Sequence, residues 1–444
     1  DLMKCSSVSF CAILIIIWIL TEWLSESLMC DRCGFSVEHF GMNEAAASKR
    51  NKTELSFEEY MAMNAIDNSE PTEKDEDTTV YVHSVGNMSA LESYSEGVVY
   101  WNYHGGFANQ MYSLYSSMIV AELKRVPFFY VDSGVDAAFI IKRRSGLPVI
   151  SLSEEVMKQF TKKRSTIYRC FTEDREGPPH LFVNFRNMVY KIKRNSILDL
   201  IPTAPFVLFD SNCPLFYYWY SNETNCNVMK TLGYVDDDMV CGSISIKHVP
   251  TLIRNFFKNN IAYRQATLQR IDQILKPYQS ALIPDSSFKS FAVPFRKYQN
   301  LICVHARFGK GASDFTDYRS FIGKDKVSVF ADCIRSHDAR NSYIYLATDS
   351  FSAKEELYDE FGRRLIVAAE RAQHSAVELS KTNWTRSGVL TSIADFTIST
   401  MCSQFIGTSR SSFSALIEML GNYPTIHVSK YNDVCTTEGL YLPQ

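Results

Sequence analysis

Leu301-Ile302-Cys303-Val304-His305-Ala306-Arg307-Phe308-Gly309-Lys310 decides the fold reading, because an apolar run ends abruptly in basic, polar and glycine residues. Leu301 to Val304 reads as a strand. Similar runs recur at Tyr343 to Ala347, Arg364 to Ala368, Gln404 to Gly407 and Thr425 to Val428. Apolar residues at helical spacing fill the intervals, over Val327 to Arg335, Ala353 to Phe361, Val389 to Met401 and Phe413 to Leu420. Strands alternating with helices this regularly predict a parallel α/β sheet.

Ligands of such sheets bind beyond the carboxyl ends of the strands, so the residues that follow each strand carry the chemistry. The first strand runs into His305, Arg307, Gly309 and Lys310, and the second into Thr348-Asp349-Ser350. The fourth runs through Gly407-Thr408-Ser409-Arg410-Ser411-Ser412 straight into the helix at Phe413. Hydroxyls and free amides at a helix N-terminus favour anions, and a guanidinium adds a planar two-point grip. This edge predicts a nucleotide diphosphate. Each residue also has an ordinary reading. Arg307 suits a solvated charge and His305 a strand-end hydrogen bond, while Asp349 suits a cap for a helix starting at Ser352. Ser411 and Ser412 equally suit an N-cap.

Upstream, Val98 to Trp101 reads as a strand and His104-Gly105-Gly106 as a turn. Phe107 to Lys124 follows as an amphipathic helix, and Phe128 to Val131 as the next strand. That is a βαβ unit with glycines at its turn, and Asn109 stands at the head of its helix. Residues 150–295 offer only helical patches, Leu252 to Phe257 and Ala266 to Leu275, and the aromatic run Phe216 to Tyr220, read as core. Two α/β halves in tandem predict two Rossmann-like lobes, 96–295 and 296–444, with the site in the cleft between them.

At the other end, Lys4 precedes Cys5 to Thr21, which holds no acidic or basic side chain, and Glu22 closes the run. At ~1.5 Å per residue this span reaches about 25 Å, close to the thickness of a bilayer core. It reads either as an uncleaved signal anchor over 1–24 or as a cleaved signal peptide. The first is the expectation here: a single-pass ER or Golgi membrane protein, its body in the lumen behind a stem at 25–95. The stem is polar and acidic, with Glu73-Lys74-Asp75-Glu76-Asp77 in its middle, and order is expected to begin at Val98. The 12 cysteines fit an oxidising lumen. Cys213 and Cys226 are the expected local pair, whereas Cys303 and Cys402 read as core thiols. Asn51, Asn87, Asn222 and Asn383 begin glycosylation sequons. A net charge of −3 does not point to a nucleic-acid binder.

The same segments carry a family resemblance. Gly106-Phe107-Ala108-Asn109-Gln110 resembles the N-terminal motif of the protein O-fucosyltransferases, and His305-Ala306-Arg307-Phe308-Gly309 resembles their His-x-Arg-x-Gly motif. Ala347-Thr348-Asp349-Ser350 is similar to a strand end in those enzymes. Asp395, followed by Phe405-Ile406-Gly407 and Ser411-Ser412-Phe413, is similar in residues and spacing. The α1,6- and α1,2-fucosyltransferases share the theme more loosely. The resemblance covers 98–131 and 301–420. It implies a GT-B type fold and inverting, metal-independent transfer of fucose from GDP-fucose to a protein or glycan acceptor, with no cofactor besides the donor. Under it, Arg307 neutralises the β-phosphate and Asn109 faces the fucose. His305 and Asp349 belong to the nucleotide site, Asp395 meets guanine or ribose, Ser411 and Ser412 touch phosphate, and Phe413 packs near the base.

The sequence departs from the family at Ala306, Phe308 and Lys310-Gly311-Ala312, beside the expected sugar site. Asp314 and Asp317 are the nearby candidates for a general base. Two rival readings stand. Asp236-Asp237-Asp238 has the form of a metal site in a metal-dependent glycosyltransferase. A transferase fold that has lost turnover would leave a lumenal binding protein.

Overall fold

In chain order, α1 (Phe57–Met63) and β1 (Val82–Val85) come first, followed by β2 (Gly97–Tyr100), α2 (Phe107–Lys124) and β3 (Phe128–Val131). Next come β4 (Phe139–Ile141), β5 (Val149–Leu152), β6 (Phe206–Phe209), α3 (Glu223–Thr231), α4 (Val249–Asn260), β7 (Ile261–Tyr263) and α5 (Gln265–Leu275). The C-terminal half begins with β8 (Leu301–Ala306), α6 (Val327–His337), β9 (Tyr343–Thr348), α7 (Phe351–Phe361) and β10 (Leu365–Val367). It continues through α8 (Arg386–Ser399), β11 (Gln404–Thr408), α9 (Ser412–Gly421), β12 (Thr425–Val428) and β13 (Cys435–Thr436). These elements come from a computed structural model that describes residues 56–63, 82–85, 93–100, 106–131, 138–153, 155–157, 159, 206–209, 220, 222–286, 296–310, 313, 321–323, 326–338, 342–370, 386–421, 424–429 and 435–436. Asp1–Glu54 is a unit apart from Leu55–Gln444 and, with the predicted anchor, lies outside the described residues. No helix among the described residues is long and apolar enough to cross a membrane.

Two parallel sheets result. The first has the order β1-β5-β3-β2-β6, and the second β10-β9-β8-β11-β12-β13, in which only β13 runs antiparallel. Strands such as β8 and β9 are buried along both faces, which is why they read as unbroken apolar runs instead of alternating. On one face of the second sheet, Ile302, Val304 and Ala306 pack with Phe330 of α6 and Leu357 of α7. On the other face, Cys303, Tyr345 and Phe405 share a core with Phe396 of α8 and Leu416 of α9. That core continues into α2 and α4 of the N-terminal half. Phe107 at the head of α2 lies 4.9 Å from the Phe396 ring and 6.3 Å from the Phe413 ring. Arg254 of α4 donates to the Met419 carbonyl at 2.7 Å.

Order does not wait for Val98. α1 lies within the stretch read as a stem, and its capping box explains it: Glu59 N–H donates to Ser56 Oγ at 3.1 Å and Ser56 N–H to Glu59 Oε2 at 2.8 Å. Its apolar face is buried through Phe57, Tyr60 and Met61, with the Phe57 and Tyr60 rings tilted against Tyr358 of α7 at 5.3 and 4.6 Å. Tyr60 also donates to the Leu365 carbonyl at 2.6 Å. β1 then pairs with β5 as an edge strand of the first sheet. The acidic composition concealed both elements, because each needs only a few apolar residues on one face.

The cysteine expectations need correction. Cys226 pairs with Cys241, not with Cys213, which lies outside the described residues. Cys303 and Cys402 are bonded to each other instead of remaining free thiols, and Cys333 pairs with Cys435. Cys303 on β8 and Cys402 just before β11 meet because those strands are neighbours, a proximity invisible in a linear sequence.

Candidate functional site

Strand order reverses between β8 and β11: β9 and β10 lie to one side of β8, and β11 and β12 to the other. Such a reversal, beyond the carboxyl ends of β8 and β11, is where ligands of open α/β sheets bind. His305 and Arg307 come from the end of β8, and Ser411 and Ser412 from the turn between β11 and α9.

The backbone that carries Arg307 is tied down by side chains from both flanking strands. Thr408 Oγ1 accepts the Arg307 N–H at 2.8 Å and donates to the His305 carbonyl at 2.8 Å. Thr348 Oγ1 donates to the Ala306 carbonyl at 2.7 Å. Asp349 accepts the Phe308 N–H on Oδ1 at 2.9 Å and the Gly309 N–H on Oδ2 at 3.0 Å. Gly309 has φ 78°, a left-handed conformation that favours glycine and lets the chain turn sharply after the arginine. The Arg307 side chain pairs through Nε with Asp349 Oδ2 at 3.3 Å and lies over the Phe321 ring at 5.5 Å. It is thus a preorganised cation, not a solvated one.

Asp349 has its task inside the protein. It is buried, and burial raises its pKa, opposed by Arg307 and the two loop amides. It does not cap the following helix: the N-cap is Ser350, with no side-chain cap bond.

His305 is buried, with Nδ1 2.7 Å from Ser414 Oγ and its ring 4.7 Å from the Phe413 ring. Burial, reinforced by Arg307, lowers its pKa to about 3, so the imidazole is neutral near pH 7. Phe413 also faces Phe396 of α8 at 5.7 Å and Phe107 of α2 at 6.3 Å, so it stands where helices of the two halves meet. Ser411 and Ser412 stand where expected. Ser411 N–H donates to the Thr408 carbonyl, and α9 begins at Ser412. Asn109 lies half-buried in the first turn of α2, two residues beyond Phe107.

Asp395 lies on α8, away from its solvent face. It is buried where α8 crosses β9, and Tyr345 donates its hydroxyl to Oδ1. Burial raises its pKa to about 6, against the pull of Lys354 and the Tyr345 bond. Lys354 is itself buried and donates to the Ala368 and Glu370 carbonyls at 2.8 Å each.

Thr348, Thr408 and Ser414 escaped the sequence reading as individuals, though all lie in or beside the flagged segments. Nothing in a linear sequence shows that their hydroxyls reach back to β8. Asp314 and Asp317 lie outside the described residues. Asp236-Asp237-Asp238 forms an exposed loop, with Asp236 accepting from Asn255 at 2.8 Å and the Asp237 carbonyl accepting from Lys230. Among the described residues one cluster has metal-ligand geometry, Cys333, His337 and Cys435, and its two cysteines are bonded to each other.

No family model and no curated protein sequence matches the chain. Solved structures similar to it include fucosyltransferases. Fucosyltransferase NodZ from Bradyrhizobium is 15% identical at a TM-score of 0.42, over 77% of this chain and 98% of that one. A FUT1 mutant from Arabidopsis thaliana, in complex with GDP, is 10% identical at a TM-score of 0.48, over 78% and 76%. POFUT1 in complex with GDP is 14% identical at a TM-score of 0.38, over 75% and 98%.

Proposed function

We propose that this chain transfers fucose from GDP-fucose to a protein or glycan acceptor, with inversion and without a metal ion, in the secretory pathway. One observation carries the reading: His305, Arg307, Ser411 and Ser412 stand at the strand-order reversal, with the arginine held by Asp349. Arg307 takes the β-phosphate and stabilises the charge that grows there as the glycosidic bond breaks. The Ser411 and Ser412 hydroxyls and the Ser412 amide at the start of α9 hold the diphosphate. The ordinary N-cap role is compatible with this, because such a helix end keeps unpaired N–H groups.

Asp395 accepts from guanine or ribose. Its Oδ1 is occupied by Tyr345, while Oδ2 has no hydrogen-bond partner among the described residues. Asn109 faces the sugar from the N-terminal lobe. Asp349 serves the nucleotide site through Arg307. The resemblance of the motifs supplies the identity of nucleotide and sugar; the edge chemistry supplies only the diphosphate. Thermal-shift ranking of GDP, UDP, CMP and their sugars tests the proposal. GDP and GDP-fucose are expected to stabilise most, and a stronger effect of UDP would sink it.

A further inference from the structure

We propose that Ser414 is a positioning residue that locks His305 into one neutral tautomer, so that the ring offers Nε2–H as a donor to the nucleotide diphosphate. The tautomer follows from hydrogen-bond roles. Ser414 Oγ accepts the Thr408 N–H at 3.0 Å and stands 2.7 Å from His305 Nδ1. Among the described residues the Ser414 hydroxyl has no other acceptor, so its hydrogen goes to Nδ1. Nδ1 is then the bare nitrogen, and a neutral imidazole must carry its single hydrogen on Nε2. Burial beside Arg307 keeps the ring neutral.

The ring cannot easily flip, because the Phe413 ring lies over it at 4.7 Å. Nε2 has no hydrogen-bond partner among the described residues. An uncharged N–H two residues from a fixed guanidinium suits an anionic oxygen: Arg307 supplies the charge and His305 the direction. The same contact explains Gly407. A Cβ there would stand 2.8 Å from the Phe405 ring and 3.1 Å from Ser414 Cβ, so α9 would have to retreat from β11. The loss of a side chain at 407 is what lets Ser414 reach across to the neighbouring strand.

The target of the donor rests on the nucleotide reading above; the tautomer does not, and can be measured without ligand. In the full chain labelled with ¹⁵N-histidine, long-range ¹H–¹⁵N correlations report which nitrogen is protonated, with His305 assigned by its loss in His305→Gln. Nε2–H is expected in the wild-type protein, and an Nδ1–H form would overturn the proposal outright. Ser414→Ala should give a mixture of tautomers and weaken GDP binding about tenfold, the size of one misdirected hydrogen bond to a charged group. His305→Gln keeps an N–H donor at the Nε2 position but has no Nδ1. In that background Ser414→Ala should change GDP affinity less than about twofold. An undiminished tenfold loss there would mean that Ser414 acts through the Thr408 amide, and would refute the positioning role. Failure of the wild-type protein to bind GDP, with the tautomer as expected, would overturn the nucleotide assignment and with it the donor's target.

Discussion

Replacing Asp349 with Asn separates an arginine that is held from one that is merely present. The carboxylate accepts two loop amides, Phe308 at 2.9 Å and Gly309 at 3.0 Å, and pairs with Arg307 at 3.3 Å. An amide keeps one acceptor and turns an NH₂ group toward the other N–H. Phe308 is buried, so water cannot replace the lost partner. One orphaned buried donor costs about 1–3 kcal/mol, and the Arg307 pair is lost with it. A fall of about 2–3 kcal/mol in folding stability is expected. Turnover should fall roughly 100-fold, the penalty for displacing a reacting group by about 1 Å. Denaturant unfolding measures the first and steady-state release of GDP from GDP-fucose the second, with calorimetry for GDP affinity. Affinity should fall much less than turnover, because the lost interaction is one that matures in the transition state. A folded Asp349→Asn protein with full turnover would refute this reasoning. A GDP affinity that fell in step with turnover would make Asp349 a direct ligand instead.

Three further outcomes follow from the packing. Asp395 has a folded pKa of about 6, above its unfolded value near 4, so its burial favours folding below about pH 4 and progressively opposes it up to about pH 6. Asp395→Asn should therefore be more stable than wild type at pH 7 by up to ~3 kcal/mol, with the difference vanishing near pH 4 in pH-dependent unfolding. A fragment starting at residue 90 lacks α1 and β1. It should melt well below one starting at residue 50, since burial of Phe57, Tyr60 and Met61 contributes about 1.5–3 kcal/mol each; equal melting temperatures would contradict the docking of α1. Non-reducing peptide mapping should recover Cys226 joined to Cys241, and Cys241→Ser should cost about 3 kcal/mol, as expected for a loop of this length.

The C-terminal half was legible because fully buried parallel strands announce themselves. The run Thr425 to Val428 is the observed β12, and Leu301 to Val304 needed only two more residues to become β8. Helix α2 matched its predicted span, since Pro127 and the apolar spacing bound it on both sides. Residues 150–295 yielded only helical patches, and the strands β4 to β7 were opaque. β4, β5 and β6 are three or four residues long, and such short runs carry no period by themselves. At the site, Arg307 and the Ser411 segment were legible from their position after strands. The supporting hydroxyls of Thr348, Thr408 and Ser414 were not, because hydrogen bonds between β8, β9, β11 and α9 depend on strand order, which reads only in three dimensions. The capping box at Ser56 and Glu59 was present in the sequence and would have revealed α1, but it sits in a stretch whose composition pointed to a stem.

The central claim is that Arg307, fixed by Asp349, Thr348 and Thr408, stabilises charge on the β-phosphate as fucose leaves. Turnover of GDP-fucose by Arg307→Ala and Arg307→Lys, each against wild type, tests it most directly. Loss of one preorganised stabiliser is worth ~3 kcal/mol, so Arg307→Ala should be slower by about 100-fold or more. Arg307→Lys should recover little, because an ammonium cannot reproduce both the planar grip and the Nε contact to Asp349. Near-normal turnover of GDP-fucose by Arg307→Ala would contradict the account and leave these segments as shared architecture alone.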